Sequence, residues 1–320
     1  MRRSFDVVVM HDFFVDRLVH ASSLSKLAES VVEKAGEGGG GIHGIPQQDL
    51  RGGNAVNLAH ALARLGLRTL LITHSDSGHE RMLIESFEGL AAEVRVKPRP
   101  PGLTVAFEGE VNVMLGYGGG AEDFGPELLD EDDWSELKRA GVVCSVNWAA
   151  NKSGTNLLAS LRSRLGREKT IFFDPADFRD RLREFTSLLA LVRKKRLVDW
   201  MSLNEQEAFE AARVLGAKTT GLRETCAVVA ERLRVGLDVH TAKGSFSCNG
   251  GKTTAVRTGR VRTLRLTGAG DVWNAGSIYG RVKNFNDSER LRFANTAAGL
   301  YLTADSPSPP ELGDILAALR

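Results

Sequence analysis

Short apolar runs rich in β-branched residues recur along the chain at Phe5 to Met10, Thr69 to Thr73, Val142 to Val146, Thr170 to Phe173, Asp199 to Leu203 and Leu237 to Thr241. Between them lie longer segments whose apolar residues return at helical spacing, among them Asn54 to Leu65, Thr155 to Leu165, Glu205 to Leu215 and Leu222 to Leu233. Strands separated by helices pair in parallel, and a parallel sheet needs cover on both faces. The alternation therefore predicts an α/β fold with a doubly wound, mainly parallel sheet flanked by helices.

Two glycine-rich stretches interrupt the alternation, Val15 to Leu50 and Leu103 to Gly120, and each carries short strand-like runs. They predict a small β lid built from segments of approximately 15–50 and 103–120 within one domain spanning 1–320. Leu24, Leu27, Ala28, Val31, Val32 and Ala35 repeat at helical spacing, so Ser23 to Ala35 reads as a helix that ends at Gly36 to Gly41. The run Gly38 to Gly41 lacks the Lys and Ser or Thr of a phosphate loop and reads as a flexible connector. The strand-like edges around Leu103 to Leu115 would lie unpaired in a monomer, which predicts a homodimer unless the Leu24 to Ala35 helix covers them.

The 42 basic and 40 acidic residues leave a formal charge of +2, too balanced and too dispersed to imply nucleic acid or an anionic membrane as partner. The densest basic run, Arg193 to Arg196, ends an apolar stretch and suits a helix C-terminus. Cys144, Cys226 and Cys248 are widely spaced, no apolar run reaches the ~18 residues of a membrane span, and the chain does not open on a signal-like segment. A cytoplasmic location is expected.

Chemistry concentrates in Leu266 to Gly280, LTGAGDVWNAGSIYG, where a strand-like run meets glycines, an acid and a small-residue helix. Gly268 and Gly270 permit close backbone approach, and N–H groups at a helix start attract anions such as phosphate. Asp271 then stands on the first helical turn beside an anion site. A carboxylate there suits removal of a proton from an attacking hydroxyl. The same residues also suit an acidic helix start after a glycine turn, stabilised by the dipole alone. That dipole is expected to keep Asp271 ionised with no raised pKa.

A second segment, Arg51 to Gly66, reads RGGNAVNLAHALARLG, two glycines entering a helix with Asn54 and Asn57 at its start. Together with TGAGD it resembles the two signature segments of the ribokinase-like, or PfkB, carbohydrate kinase family. Asp16 after the first strand, the pair Asn204 and Glu207 in NxxE spacing, and Asp174 with Pro175 after a core strand match further family landmarks in order. The resemblance covers nearly the whole chain. It implies a ribokinase-like fold and a nucleotide-dependent kinase acting on a hydroxyl of a sugar or related polyol, with ATP as donor, ADP as an alternative donor, and Mg2+.

By position, the resemblance assigns Asp271 as base and Gly268, Ala269 and Gly270 as the anion cradle. It assigns Asp16, Gly53 and Asn57 to the acceptor hydroxyls, Thr241, Lys243 and Gly244 of the TAKGS loop to the nucleotide, and Asn204 with Glu207 to magnesium and its waters. Asn204 and Glu207 equally have the spacing of a helix capping box. The chain departs from the family pattern at His11 and Ala242, where glycine is usual, and at Ala176, Asp177 and Phe178 after Asp174 and Pro175. Arg265 and Leu266 replace an acid and a small residue that help hold potassium in many members, so activity is expected to be the same in potassium and sodium salts.

Two other readings stay open on these residues: a nucleoside kinase of the same fold, with Phe13 stacking on a base, and a non-catalytic sugar or nucleotide sensor. Phe13, Phe14 and Trp148 suit either an acceptor pocket or plain core. His74, Asp76, His79 and Glu80 lack the helical spacing of a zinc motif and suit a loop.

Overall fold

Val7, Val8, Val9 and Met10 are each fully buried, which a strand achieves only with packed layers on both faces. The computed structural model, which describes residues 5–21, 23–108, 112–259, 262–264 and 267–320, shows how those layers form. The chain opens with β1 (Val7–His11), β2 (Phe14–His20), α1 (Leu24–Gly36), β3 (Gln47–Gly52), α2 (Asn54–Arg64), β4 (Thr69–Ser75) and α3 (Glu80–Glu85). It continues through β5 (Ala92–Pro98), β6 (Gly102–Glu108), β7 (Asn112–Tyr117), α4 (Glu131–Arg139), β8 (Val142–Val146), α5 (Gly154–Leu165), β9 (Thr170–Asp174) and α6 (Leu182–Lys195). Then come β10 (Trp200–Asn204), α7 (Glu205–Val214), α8 (Leu222–Leu233), β11 (Gly236–Thr241), β12 (Gly244–Asn249) and β13 (Lys252–Arg257). Three helices close the chain, α9 (Ala269–Val282), α10 (Asp287–Thr303) and α11 (Leu312–Ala318).

Among the described residues the main sheet has the order β13-β12-β11-β10-β9-β8-β1-β4-β5, parallel from β11 to β5, with β12 and β13 antiparallel. Val8 and Met10 point into one core with Leu137, Leu157, Phe185, Ala208 and Val229. Val7 and Val9 point into the other, with Val56, Leu58, Val272, Ile278 and Phe293. The strand alternation thus divides the helices into two layers. The chain runs outward from β1 to β4 and β5, then returns to β8 on the other side of β1 and continues outward to β9, so the strand order reverses between β1 and β8. Ligands of doubly wound sheets bind beyond the strand C-termini at such a point.

The second sheet, β3-β2-β6-β7, draws its strands from 14–52 and 102–117. Here the structure corrects two expectations. Of the stretch from Leu103 to Leu115, the Leu103 strand, β6, is interior, paired with β2 in parallel and with β7 in antiparallel fashion, whereas β7, which carries Leu115, is an edge strand as expected. Helix α1 forms as expected from Leu24, with Ser23 as its N-cap, yet it has no buried residue and does not cover an edge. The basic run is the end of α6, with Arg196 in the left-handed conformation that closes the helix.

Candidate functional site

The last residue or first following residue of five parallel strands meets at one sheet edge: Asp12 after β1, Asn147 after β8, Asp174 on β9, Asn204 on β10 and Thr241 on β11. Helix α9 enters this edge with Gly268 as its N-cap in the left-handed region, φ +83°. A Cβ on Gly268 would lie 2.8 Å from the Tyr301 hydroxyl, so the turn needs glycine twice over. Asp271 follows on the first turn, almost fully buried. Asn54 Nδ2 donates to its Oδ1 at 3.0 Å and Asn57 Nδ2 to its Oδ2 at 3.2 Å.

The expectation that the helix dipole alone holds Asp271 in the ordinary carboxylate range is overturned. Burial first, and then repulsion from Asp174 and Asp12, push its carboxyl well up, against the lowering effect of the Asn57 and Asn54 donors. Its neighbours share the strain. Asp174 is raised to about 6 by burial and by Asp12, although it accepts from Ala176 N at 2.8 Å and from Asn274 Nδ2 at 2.6 Å. Ala176 has a left-handed φ of +55° where its backbone N donates that bond, and nothing in the structure explains alanine at this position.

Asn204 and Glu207 form a complete capping box on α7: Glu207 N donates to Asn204 Oδ1 at 2.9 Å, and Asn204 N donates to Glu207 Oε2 at 2.8 Å. Asn204 Nδ2 donates to Oε1 as well, at 2.7 Å. Burial and then Asp174 raise Glu207 to about 8, outweighing those donors. Among the described residues no three His, Cys, Asp or Glu side chains stand close enough to hold a metal directly. His79 Nδ1 instead pairs with Asp76 Oδ1 at 2.8 Å, while the buried His74 ring lies between Phe13 N at 3.5 Å and Pro100 O at 3.1 Å.

Beside the small sheet, Asp16 on β2 lies so close to β3 that a Cβ on Gly52 would fall 2.0 Å from its Oδ2. Gly53 has φ +102°, and a Cβ there would lie 2.7 Å from the Asp12 carbonyl oxygen. Asn57 is already engaged at both ends, its Oδ1 accepting from Arg51 Nη1 at 3.2 Å. Phe13 and Trp148 belong to the core, with Trp148 against Phe185, and Phe14 packs over Gly102. Thr241, Lys243 and Gly244 make the turn from β11 to β12, closed by Lys243 N to Thr241 Oγ1 at 2.9 Å. Gly244 packs flat on β13, where a Cβ would meet Val256 O at 2.4 Å. Arg265 and Leu266 lie outside the described residues.

Sequence reasoning missed three supports of this edge. Asp12 accepts from Asn54 N at 2.8 Å, Ala55 N at 3.0 Å and Asn147 Nδ2 at 2.8 Å, and so caps α2, whose N-cap Gly53 has no side chain to do it. His240 lies against Gly270 and 5.1 Å from the Trp273 ring, joining β11 to the cradle. Asp238, fully buried, binds Arg290 Nη1 and Arg281 Nη2 at 2.7 Å each and Ser277 Oγ at 2.9 Å, fastening α9 and α10 to β11. Those cations hold its carboxyl well below the usual range despite burial.

A glycine turn at a helix start, a buried acid on its first turn and polar side chains facing that acid on a doubly wound sheet suit phosphoryl transfer. The sequence matches the pfkB family carbohydrate kinases over residues 41–312, and the chain belongs to that family. No curated protein matched. Among solved structures the fold is similar to Arabidopsis thaliana ribokinase complexed with ribose and ATP, 22% identical over 99% of both chains with a TM-score of 0.76. It is likewise similar to the adenosine kinase of Sinorhizobium meliloti, 19% identical over 99% of this chain and 100% of that one, TM-score 0.79. A putative ribokinase II from E. coli in complex with ATP and Mg2+ is 16% identical over 98% and 99%, TM-score 0.79.

Proposed function

We propose that this protein transfers the γ-phosphoryl group of ATP to a hydroxyl of a sugar or related polyol. The observation that carries the reading is Asp271, buried directly behind the Gly268 to Gly270 cradle and facing Asn54 and Asn57 of the acceptor end. Asp16, Gly53 and Asn57 hold the acceptor. As the acceptor oxygen bonds to the γ-phosphorus and the bond to the β–γ bridging oxygen breaks, the hydroxyl proton passes to the Asp271 carboxylate and ADP leaves. Backbone N–H groups of Gly268, Ala269 and Gly270 face the charge on the transferring group. Thr241, Lys243 and Gly244 line the nucleotide side.

Magnesium suits this edge because Asp174 and Glu207 are buried acids, Glu207 raised by burial and then by Asp174, and Asp174 by burial and then by Asp12, a conflict that a divalent cation relieves. Both Glu207 oxygens already accept cap bonds, so Asn204 and Glu207 would hold the ion through water, where it offsets phosphate charge. The nucleoside alternative loses its stacking residue, since Phe13 is fully buried. The small sheet serves as the lid, and its exposed apolar face, Leu103 with Val113, Leu115 and Tyr117, supports a homodimer through that face. Purified protein incubated with sugars, sugar phosphates, inositols and nucleosides, with ATP or ADP and Mg2+, tests the reading. ATP-dependent phosphorylation of a sugar or polyol is expected. Turnover with no acceptor, or with nucleosides alone, overturns it.

A further inference from the structure

Arg51 has no part in the reaction above, yet it occupies the acceptor end. It is the penultimate residue of β3, in register with the buried Val15 of β2. Arginine on a small surface sheet ordinarily extends into water. Here the guanidinium turns inward to Asn57, and burial lowers its pKa to about 10 against the attraction of Tyr301 and Asp271. Among the described residues its hydrogen bond is to the neutral Asn57 oxygen and to no carboxylate.

An asparagine amide keeps its shape when turned end over end, so its partners decide which end carries the oxygen. Arg51 has donors only. It therefore claims Oδ1 of Asn57 and leaves Nδ2 for Asp271 Oδ2. The reverse orientation would set an amide oxygen against the carboxylate. We propose that Arg51 is a positioning residue of the transfer centre: from the last turn of the small sheet into α2 it fixes the Asn57 amide as a donor to the Asp271 carboxylate.

Resting on the assignment of Asp271 as base, the relay favours the ionised form that accepts the proton. The other groups acting on Asp271 are Asp12 after β1, Asp174 on β9 and the Asn54 donor on α2, while His240 of β11 lies against Gly270 and Tyr301 of α10 against Gly268 and acts on Arg51. The two acids oppose the relay, and Arg51 and Asp271 also attract each other directly. The double variant separates that attraction from the path through Asn57.

Two readouts test the relay in Arg51→Met, Asn57→Ala and the double variant: the acidic limb of kcat/KM, and titration of the Asp271 carboxyl by carbon-13 NMR in the protein without substrate. Arg51→Met should lower kcat about tenfold and move both to higher pH by about half a unit or more. In the Asn57→Ala background the Arg51 effect should shrink to what the direct attraction leaves, and Arg51→Lys should restore part of the shift. Should Arg51→Met fail to fold, the Lys and Asn57→Ala variants carry the same comparison. Unmoved titrations, or shifts that add in the double variant, overturn the relay. The NMR titration needs no turnover, so a protein inactive on every acceptor yet showing the shift would sink the kinase reading and leave the relay standing.

Discussion

Replacing Asp12 with alanine removes the cap of α2 and exposes how far the start of that helix depends on it. Asp12 receives two backbone N–H groups of the first turn, at 2.8 and 3.0 Å, and the Asn147 amide at 2.8 Å. Hydrogen bonds to a charged group are worth about 1.5–3 kcal/mol each, and the orphaned donors lie where water cannot readily replace the carboxylate. Against this, the variant no longer buries an acid whose pKa burial pushes up, and it relieves repulsion on Asp174 and Asp271. The balance is a loss of about 2–4 kcal/mol. An unfolding entropy of about 2 cal/mol/K per residue gives about 0.7 kcal/mol/K for the whole chain, so Tm should fall by roughly 3–6 °C. Asp12→Asn keeps one acceptor oxygen and should lose about half as much. Thermal unfolding followed by circular dichroism reads the shift, and an Asp12→Ala protein melting within a degree of the wild type would refute the capping argument.

Gly268→Ala places a Cβ against the Tyr301 hydroxyl at a left-handed φ; catalytic turnover should fall at least tenfold while far-UV dichroism stays native, and wild-type kcat would show that the cradle tolerates a side chain. Glu207, raised by burial and Asp174, is mostly protonated at pH 7 and ionised above about 8. The unfolded carboxyl ionises near 4.5, so this group's contribution to stability is present below that pH and is lost as pH rises towards 8; Glu207→Gln should flatten the dependence of Tm on pH in that window, and an unchanged slope would contradict it. The apolar face of the small sheet, with Leu115 and Tyr117 61% and 62% exposed, should bring two copies together at micromolar concentration, and Leu115→Glu should yield monomers by light scattering. A monomeric wild type would show that face to be free.

Local patterns carried most of the architecture. The strands β1, β4, β8, β9, β10 and β11 fall within two residues of the apolar runs, because period and branching are properties of neighbouring residues. The motifs RGGN and TGAGD were legible for the same reason. What escaped was non-local. Asp12 acts on residues more than 40 positions away, although a helix opening on glycine without a side-chain cap was a signal that an acceptor must come from elsewhere. The raised pKa of Asp271 comes from burial first and then from Asp174 and Asp12, which only the folded sheet brings together, whereas the dipole that suggested otherwise belongs to its own helix. Likewise the stretch from Leu103 to Leu115 reads as edges, which holds for β7 but not for β6, whose parallel pairing with β2 joins strands more than 80 residues apart. The Asp238, Arg281 and Arg290 cluster unites three elements and has no local signature.

The account stands on Asp271 as the group that accepts the hydroxyl proton. Steady-state kinetics of Asp271→Ala, with ATP, Mg2+ and the best acceptor found by screening, is the direct measurement. A positioned base contributes about 10²–10⁴ in rate, so kcat should fall by that factor while the protein remains folded and still binds ATP. Turnover equal to that of the wild type would contradict it.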